Sequence, residues 1–390
     1  MSKWNMVKLS DIFTLQMGKT PSRNNSTFWN GSYKWVSIAD LGKSQKYIHD
    51  TKERITNSAI SESGIKITPK DTIVMSFKLS IGKVAITSED IYTNEAIMSF
   101  IDRKLYKFDI DYIYHLFNEK DWSNEANKAV MGITLNKAIL SQIVIPLPPL
   151  EIQHQIASNL DKVTHTIDLC NQIIEKLDLL VKARFVEMFG DIKLNSMHYD
   201  TIQLDKIANV GSSKRVFVEE LQENGIPFYR GTEVGALAEG KDIAPELFIT
   251  EEHYKTLKKA TGVPKIGDLL MPSICSDGRI WIVDTKEPFY FKDGRVLWIH
   301  PTTNNINSVY LLYFLKQKIA VDYNTIASGT TFAELKIFAL KGLQVFMPTK
   351  DLQEQFADFV EQTNKSKSAV KQVLEKTKML KKALMQEYFG

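Results

Sequence analysis

The sequence predicts a mixed α/β protein in which two globular domains alternate with two long helices, as the result of an internal duplication. Residues 148–157 read P-P-L-E-I-Q-H-Q-I-A, and residues 348–357, 200 positions later, read P-T-K-D-L-Q-E-Q-F-A. The stretches that follow also end alike, with K-A-R-F-V-E-M-F-G at 182–190 and K-A-L-M-Q-E-Y-F-G at 382–390. Such a period is too long for a solenoid unit, so it indicates a duplicated half-protein.

Shorter landmarks recur in the segments before the two helices. The pairs are V-K-L-S-D-I (7–12) with I-Q-L-D-K-I (202–207), P-K-D-T-I-V-M (69–75) with P-K-I-G-D-L-L-M (264–271), I-G-K-V-A-I (81–86) with D-G-R-I-W-I (277–282), and M-G-I-T-L (131–135) with S-G-T-T-F (328–332). Scaffold positions match while the residues between them differ, as expected of two copies that kept a fold and changed what they bind. We therefore predict globular domains at 1–147 and 191–347 and long helices at 148–190 and 348–390.

The globular segments are predicted to mix strands with short helices. β-rich runs are bounded by Gly, Pro, Asp and Asn, which favours strands at 66–77, 84–86, 97–101, 278–283 and 296–300. Helical patterns occupy 109–119 and 308–318, and short strands at 143–146 and 343–347 should lead into the long helices.

The first long helix carries a heptad pattern between Pro148 and Gly190, residues typical of a helix start and stop. Apolar residues repeat at alternating intervals of four and three, which predicts a coiled-coil seam. The seam consists of Ile156, Leu160, Val163, Ile167, Cys170, Ile174, Leu177 and Val181.

The second long helix has a weaker apolar pattern. Its predicted seam consists of Leu352, Phe356, Phe359, Val370, Val373, Leu380 and Leu384, with Thr363, Ser366 and Thr377 at the polar steps. Two helices of equal length bury such seams most economically on each other. Spacing alone permits parallel or antiparallel pairing, but pseudo-two-fold symmetry of the duplicated halves favours an antiparallel coiled coil.

Composition indicates a soluble cytoplasmic protein. Of the 390 residues, 44% are hydrophobic and 24% charged, which is ordinary for globular domains. No apolar run approaches the ~18 residues of a membrane span, and the N-terminus lacks the apolar core of a signal peptide, so no membrane partner is expected. Cys170 and Cys275 are expected to be reduced thiols.

The net charge is only +3, but its distribution is uneven. Residues 1–50 carry seven Lys and Arg against three Asp and Glu, and residues 301–350 carry five against two, whereas residues 151–200 carry five against eight. The basic excess belongs to the segments before each helix. It permits contact with nucleic acid without demonstrating it, because lysine-rich solvated faces are common.

Catalytic motifs are absent from the sequence. Neither N-P-P-F, D-P-P-Y nor F-x-G-x-G of adenine methyltransferases occurs. G-K-T at 18–20 resembles the end of a phosphate loop, but Phe13 stands where that loop requires glycine. The E-x-K triplets at 239–241 and 334–336 are expected by chance, and the scattered histidines form no metal site. We therefore expect no enzyme activity, metal or cofactor in this chain.

The sequence resembles the DNA specificity subunit of type I restriction-modification systems. The resemblance rests on I-P-L-P-P-L-E-I-Q-H-Q at 145–155, on S-G-T-T-F at 328–332 and on the duplication with paired helices. The second copy departs from the motif, with Phe346 and Met347 before Pro348 and with Lys350 where the first copy has Leu150.

The resemblance implies a division of labour. Residues 1–147 and 191–347 would be target recognition domains, each reading one half of a bipartite, asymmetric sequence in double-stranded DNA. The helices would form a spacer and a docking surface for two modification (methyltransferase) subunits, and restriction (helicase-nuclease) subunits would join them. S-adenosylmethionine, ATP and magnesium would belong to those partners, and this chain would be non-catalytic.

Polar residues in predicted loops are the candidates for DNA contact. Arg and Lys can bind guanine edges or phosphates, and shorter polar side chains can complete a base code. The first domain offers Lys19, Thr20, Arg23, Asn24, Ser37, Asp40, Lys43, Lys78, Ser80 and Lys83. The second offers Ser213, Lys214, Arg215, Arg230, Thr232, Glu233, Ser276, Arg279, Lys292 and Arg295.

Two other functions stay open at the level of sequence. One is a self-contained DNA methyltransferase or endonuclease with degenerate motifs, which would modify or cut DNA without partners. The other is a coiled-coil adaptor with no role in nucleic-acid binding, which would give no sequence-dependent gel shift even with modification subunits present.

Overall fold

The computed structural model describes residues 4–44, 46–78, 80–122, 135–328 and 333–389. The chain divides into two compact units, one made of Met1–Asn171 and Gln372–Gly390 and the other of Gln172–Lys371. Each unit therefore combines one globular segment with part of both long helices. Of the landmarks M-G-I-T-L and S-G-T-T-F, only Leu135 and Ser328 lie within the described residues.

The first unit contains a five-stranded sheet, a three-stranded sheet and one further strand pair. Its strands are β1 Met6–Lys8, β2 Phe13–Met17, β3 Trp29–Val36, β4 Tyr47–Ile48, β5 Glu53–Ile55, β6 Ile73–Ser76, β7 Val84–Thr87, β8 Tyr92–Thr93, β9 Ile97–Asp102 and β10 Val144–Pro146. The sheet orders are β2-β9-β6-β7-β4, β5-β3-β8 and β1-β10. The pairs β4–β7 and β3–β8 are parallel and the others antiparallel.

Short helices surround these sheets and precede the first long helix. They are α1 Leu9–Ile12, α2 Ile38–Lys43, α3 Asn57–Ser63, α4 Ile110–Glu119 and α5 Lys137–Gln142, with a 3-10 helix at Ser26–Phe28 and the long helix α6 at Leu150–Phe189. Helix α4 begins after Asp109, whose side chain accepts hydrogen bonds from the first free backbone N–H groups. Its Phe117 packs against Phe100 of β9, with ring centroids 4.9 Å apart.

The second unit repeats this architecture. Its strands are β11 Thr201–Gln203, β12 Ala208–Gly211, β13 Ile226–Tyr229, β14 Phe248–Ile249, β15 Leu269–Pro272, β16 Trp281–Ile282, β17 Tyr290–Phe291, β18 Val296–Pro301, β19 Ala327–Ser328, β20 Glu334–Leu335 and β21 Gln344–Phe346. Its helices are α7 Gly231–Ala238, α8 Glu251–Thr261, α9 Ser308–Ile326, α10 Ile337–Lys341 and the long helix α11 Lys350–Phe389, with 3-10 helices at Leu204–Lys206 and Val218–Glu220.

Sheet topology confirms the duplication. The order β12-β18-β15-β16 in the second unit matches β2-β9-β6-β7 in the first, and β14-β13-β17 matches β5-β3-β8. The strands that lead into the long helices, β10 and β21, pair with β1 and β11 at the start of each half. The predicted strand runs located β6, β7, β9, β10, β16, β18 and β21, whereas the other strands were not predicted, and β6 and β16 are shorter than the runs that predicted them.

The two long helices pair antiparallel in each unit, as the duplication predicted. Both helices are 40 residues long. In the first unit, the Asn159 side chain near the start of α6 donates to the Tyr388 hydroxyl at the end of α11, at 3.3 Å. In the second unit, Phe185 near the end of α6 packs against Phe356 near the start of α11, with centroids 5.4 Å apart. Within the described ranges, no helix is both long and apolar enough to cross a membrane.

The seam predicted for α6 is confirmed, since all eight of its positions are buried or half-buried. The seam predicted for α11 is partly wrong, because Ser366, Val373 and Leu380 are exposed. The inward face instead follows Gln353, Phe356, Val360, Thr363, Lys367, Val370, Leu374, Thr377, Lys381 and Leu384.

Two lysines explain this error of register. The ammonium of Lys367 lies 2.7 Å from the carboxylate of Asp178, and that of Lys381 lies 2.7 Å from Glu119. Each aliphatic stem can cover apolar surface while its charged end is paired. A search for apolar residues alone cannot detect such seam positions.

A buried glutamine ties the start of each long helix to its globular segment. The side-chain amide of Gln153 donates to the carbonyl of Pro148 at 2.7 Å, and its oxygen accepts the backbone N–H of Asp109 at 2.9 Å. Because Asp109 caps α4, this single side chain fixes α4 against α6. The glutamine of the P-x-x-E-x-Q motif therefore has a structural role.

The second copy repeats the same latch. Gln353 donates to the carbonyls of Pro348 and Asn305 at 2.9 and 3.1 Å, and accepts the backbone N–H of Asn307, the cap of α9, at 2.8 Å. Since the side chain is fully buried, water cannot replace these bonds.

We predict that Gln353→Leu lowers the free energy of unfolding by about 1–3 kcal/mol, because it leaves buried backbone groups unpaired. Urea denaturation of the whole chain measures the change. Gln355→Leu is the control, since Gln355 is exposed two residues away on the same helix. Equal effects of the two substitutions would show that the buried amide does not latch the helices.

Candidate nucleic-acid interface

Six of the ten residues predicted for DNA contact in the second domain line one cleft of about 840 Å³. These six are Arg230, Thr232, Glu233, Arg279, Lys292 and Arg295. The lining is completed by Gly231, Pro272, Ser273, Ile274 and Glu334. The cleft lies where the start of α7 meets the end of β15, and its four cations outnumber its two carboxylates.

Arg230 precedes α7 and is held by two carboxylates. Its backbone N–H donates to Glu233 at 2.8 Å, and its Nε donates to the same carboxylate at 3.1 Å. Its Nη2 also donates to Glu246 at 3.0 Å. The hydrogen bonds that its side chain donates to Glu233 raise the pKa of Arg230 despite some burial. The guanidinium therefore stays charged and fixed in orientation.

Glu233 stays ionised in this arrangement. Burial favours its neutral form, but the hydrogen bonds from Arg230 and from nearby backbone and hydroxyl groups outweigh that effect and lower its pKa to about 2. The hydroxyl of Thr232 is one of these donors, at 2.9 Å. Thr232 and Glu233 thus orient Arg230 in the cleft.

Arg279 lies across the cleft, against the middle of α7. Its Nε is 2.9 Å from Asp277, and its Nη1 is 3.9 Å from Glu239. A Cβ atom at Gly235 would lie 3.3 Å from Nη1, so glycine permits this close approach. The bond to Asp277 raises the pKa of Arg279, which holds the second guanidinium charged and in place.

The other predicted residues of the second domain divide between the cleft and the surface. Lys292 is exposed, and Arg295 pairs with Glu334. Ser276 is exposed beside Arg279 and does not line the cleft.

Residues 213–215 lie on a loop that is attached to its own domain. The Ser213 hydroxyl donates to the Phe291 carbonyl at 2.5 Å, and the backbone N–H of Lys214 donates to the Tyr290 hydroxyl at 2.9 Å. Arg215 donates to Asp293 at 3.1 Å, next to Lys292. Of this trio, only the exposed side chains of Lys214 and Arg215 face solvent.

The corresponding place in the first domain has the same geometry with different side chains. Ser37 caps α2, and Asp40 accepts both its backbone N–H at 2.9 Å and its hydroxyl at 2.7 Å. Asp40 also accepts the backbone N–H of Lys52 at 3.2 Å and is buried, so protein groups occupy it. Lys83 lies against Gly42, where a Cβ atom would be 2.8 Å from its ammonium.

The loop at residues 19–24 is held by protein contacts. Both Nη atoms of Arg23 bond Glu53, and its guanidinium carbon lies 3.9 Å from the Trp29 ring centroid. Lys19 donates to the Ser63 carbonyl, and Thr20 bonds Glu95 and accepts from Asn94 at 2.9 Å. Asn24 is exposed. Glu53 thus bonds both terminal nitrogens of the Arg23 guanidinium, and Trp29 covers one of its faces.

The turn between β6 and β7 carries Lys78 and Ser80, and Lys43 ends α2. Exposed Ser80 has a positive φ of 53°, and its carbonyl accepts the Ser76 hydroxyl at 2.6 Å. Lys78 is half-buried, with its ammonium 5.5 Å from the Phe77 ring centroid. Exposed Lys43 borders a separate hollow of about 610 Å³.

That hollow includes a cation that the sequence pattern did not single out. Lys46 lies 2.9 Å from Asp111 and 2.8 Å from Asp161, and Asp161 also bonds His115 at 2.7 Å. These partners keep the pKa of Lys46 raised although burial opposes it. Its charge is therefore compensated within the protein.

Sequence reasoning also missed Ser273. This residue is 2% exposed, lines the cleft, and its hydroxyl has no hydrogen-bond partner among the described residues. Its place immediately after β15, two residues beyond the P-K-I-G-D-L-L-M landmark, was a signal available in the sequence. Phe77 occupies the corresponding place after β6.

Residues 1–179 and 198–377 each match the family described as "Type I restriction modification DNA specificity domain". The chain belongs to this family. The double match also confirms the duplication. The chain is therefore a DNA specificity subunit of a type I restriction-modification system, and the two alternative functions receive no support.

Individual relatives agree with this assignment. The chain is 27% identical over 384 residues to the type I restriction enzyme MjaIX specificity subunit of Methanocaldococcus jannaschii, covering 92% of this chain and 86% of that protein. The M. genitalium type I S subunit has a similar fold, with a TM-score of 0.58 and 17% identity over 100% of this chain and 96% of that one. A structure described as explaining complex assembly and conformational transition of the type I R-M system gives a TM-score of 0.63 at 15% identity, covering 99% and 97%.

The depressed pKa of Glu233 gives a prediction for acid stability. A folded-state pKa of about 2, against an ordinary 4.5, means that its ion pair stabilises the fold above pH 4.5 and is lost as pH falls towards 2. As the pH falls from 4.5 towards 2, the free energy of unfolding of the wild-type chain should therefore decrease more than that of Glu233→Gln. Urea midpoints measured at each pH test this.

Thr232→Val is the matched control for that measurement. It removes one hydroxyl bond to Glu233 but keeps the carboxylate and Arg230, so most of the acid-dependent loss should persist. If Glu233→Gln shows the same pH dependence as the wild type, the Arg230–Glu233 pair does not stabilise the fold.

Proposed function

We propose that residues 1–147 and 191–347 are target recognition domains, each of which reads one half of a bipartite site in double-stranded DNA. One observation carries this proposal: both globular segments place a capped helix, a glycine and a cation in the same arrangement. These are Ser37, Asp40, Gly42 and Lys83 in the first, and Arg230, Glu233, Gly235 and Arg279 in the second.

The arrangement suits two readers of different sequences. The glycine lets the cation approach the helix in both copies, so the backbone frame is retained. The capping and cationic side chains differ between copies, and side chains at base edges determine specificity. The proposed DNA surface draws on the residues predicted from sequence, except those that protein groups occupy, such as Asp40 and Ser213. It is centred on the cleft in the second domain and on α2 with Ser80 and Lys83 in the first.

Net charge supports a need for partners in tight binding. Each phosphate contact requires a cation, whereas the whole chain carries a net charge of only +3. Many of the proposed contact residues are already paired with carboxylates, including Arg23, Arg230, Arg279 and Arg295. Phosphate contacts would come mainly from the other subunits.

The long helices offer a repeated apolar face to such partners. Ile173 and Leu180 in the second unit are 42% and 49% exposed, and Val373 and Leu380 in the first unit are 49% and 50% exposed. Residues seven apart lie on one side of a helix, and the two pairs occupy equivalent positions. Because each long helix presents an equivalent apolar face, two copies of one protein can bind in the same way. We assign these two copies as modification subunits.

The remaining assignments follow from this architecture. Restriction subunits would join the complex of specificity and modification subunits in the cytoplasm. S-adenosylmethionine, ATP and magnesium would be bound by the partners, and this chain would be non-catalytic.

Exchange of residues 1–147 for the corresponding segment of another specificity subunit should change one half-site only. The physical reason is that the cleft lined by Arg230 and Arg279 stays intact in the second unit. Methylome sequencing of cells carrying the exchanged chain and its modification subunits gives the result. Reciprocal exchange of residues 191–347 is the control and should change the other half-site; if either exchange alters both, the assignment of one domain to each half-site is wrong.

Charges on the repeated apolar face should weaken assembly. We predict that Ile173→Asp with Leu180→Asp reduces bound modification subunit to about one per chain, and that adding Val373→Asp and Leu380→Asp abolishes binding. Analytical ultracentrifugation measures the stoichiometry. Lys182→Asp, at an exposed position away from this face, is the control; unchanged assembly of the fourfold variant would refute the docking site.

A further inference from the structure

We infer that the cleft of the second unit reads guanine through Arg230 and Arg279, so that guanine contacts set the half-site of this unit and not that of the first. The inference rests on the proposed function of the domain in reading DNA. It names the base and the side chains that discriminate it.

The cleft has the charge and lining that a base edge requires. Its lining carries two more positive than negative side chains, and Pro272 and Ile274 add apolar surface. Guanine presents two acceptors, O6 and N7, in the major groove, and arginine is the side chain that most often binds both. An edge with two acceptors therefore complements this lining.

The two arginines are oriented before any ligand binds. Arg230 bonds Glu233 and Glu246 through Nε and Nη2, and its Nη1 takes no part in these bonds. Arg279 bonds Asp277 through Nε, and its Nη2 takes no part in the contacts with Asp277 and Glu239. N–H donors thus remain on guanidinium groups that are already held in place.

This orientation favours base reading over phosphate binding. A fixed guanidinium loses less conformational entropy when it binds, and its planar geometry makes it selective for an acceptor pair. A phosphate contact does not need such alignment, since a flexible lysine provides the charge. Within the cleft, exposed Lys292 suits phosphate binding, whereas Arg230 and Arg279 suit discrimination.

The buried hydroxyl of Ser273 adds a second indication of a ligand. Leaving a buried polar group unpaired costs about 1–3 kcal/mol, and this hydroxyl has no partner among the described residues. Because Ser273 lines the cleft, a polar group of a bound base pair could satisfy it. The cleft is thereby a built polar site in addition to a charged one.

The first unit lacks this arrangement at the equivalent positions. Ser37 stands in place of Arg230, and Lys83 in place of Arg279. The arginine nearest to Ser37 in sequence, Arg23, has its Nη atoms occupied by Glu53 and its face by Trp29. The two half-sites should therefore differ in their dependence on guanine.

The sharpest test replaces single atoms of the DNA. Guanines in each half-site of the methylome-defined target are exchanged for 7-deazaguanine, which lacks the N7 acceptor, and binding is measured with the assembled complex of this chain and its modification subunits. We expect at least one such exchange in the second half-site to weaken wild-type binding about tenfold, a loss of ~1.4 kcal/mol within the range of a base contact. Exchanges in the first half-site should change binding less than twofold.

Protein variants identify the side chain. Arg230→Gln and Arg279→Gln are tested separately. The 7-deazaguanine exchange should no longer weaken binding of one of them, because that variant has already lost the contact with N7. Lys292→Ala is the matched control: it should weaken binding to all sequences alike and keep the sensitivity. Each variant should still prefer the correct sequence in the first half-site, and this preference shows that the complex is folded and assembled.

The outcomes separate the inference from the proposed function. A complex without any sequence preference would overturn the proposed function itself. A sequence-specific complex whose second half-site lacks guanine, or tolerates 7-deazaguanine at every guanine, would overturn only this inference. Sensitivity that persists in both arginine variants would also overturn it, because other residues would then read the base.

Discussion

The antiparallel pairing of the two long helices is the constraint on which the structure depends. Each globular segment completes its core with the end of the long helix that does not directly follow it in the chain. Phe389, at the end of α11, packs against Tyr112 with centroids 5.6 Å apart, and Phe189, at the end of α6, packs against Tyr310 at 4.7 Å. Both tyrosines also donate to the carbonyl before a long-helix motif, Pro146 and Phe346. Neither helix can therefore change its length without disturbing a core, which explains two helices of 40 residues each.

This constraint separates the conserved frame from the variable surface within one chain. The buried glutamines Gln153 and Gln353 bond backbone atoms, so they hold the frame without depending on neighbouring side chains. The surface above the frame is free to differ, because Ser37 and Arg230 fill the same cap position with different chemistry. A duplicated protein of this kind can change one reading surface while keeping the other. That property agrees with the proposal that each globular segment reads one half of a two-part DNA site.

The sequence predicted those parts of the fold in which apolar residues recur at regular spacing. The α6 seam, the strands beside the landmarks and the short helices α4 and α9 follow from patterns of apolar residues and from breaker residues. The α11 seam did not, because Lys367 and Lys381 bury their stems and pair with Asp178 and Glu119, which lie far away in sequence. Six cleft residues were predicted because they are polar side chains in predicted loops. Ser273 was missed because the first copy has the apolar Phe77 at the corresponding place, so comparison of the copies did not point to a polar residue there. The pairing of Arg23 with Glu53 depends on a strand contact that sequence alone does not place.

The pairing of cations with carboxylates has a consequence for how such a chain finds its site. An arginine that already bonds a carboxylate contributes little net attraction to a phosphate backbone, since the neighbouring negative charge cancels much of its field. The same carboxylate orients the guanidinium and so increases the penalty for a base that does not match. Under the proposed function, Arg230 and Arg279 would thus give up general affinity for discrimination. Most of the binding strength would then come from other surfaces of the complex, while the specificity chain would supply the discrimination between DNA sequences.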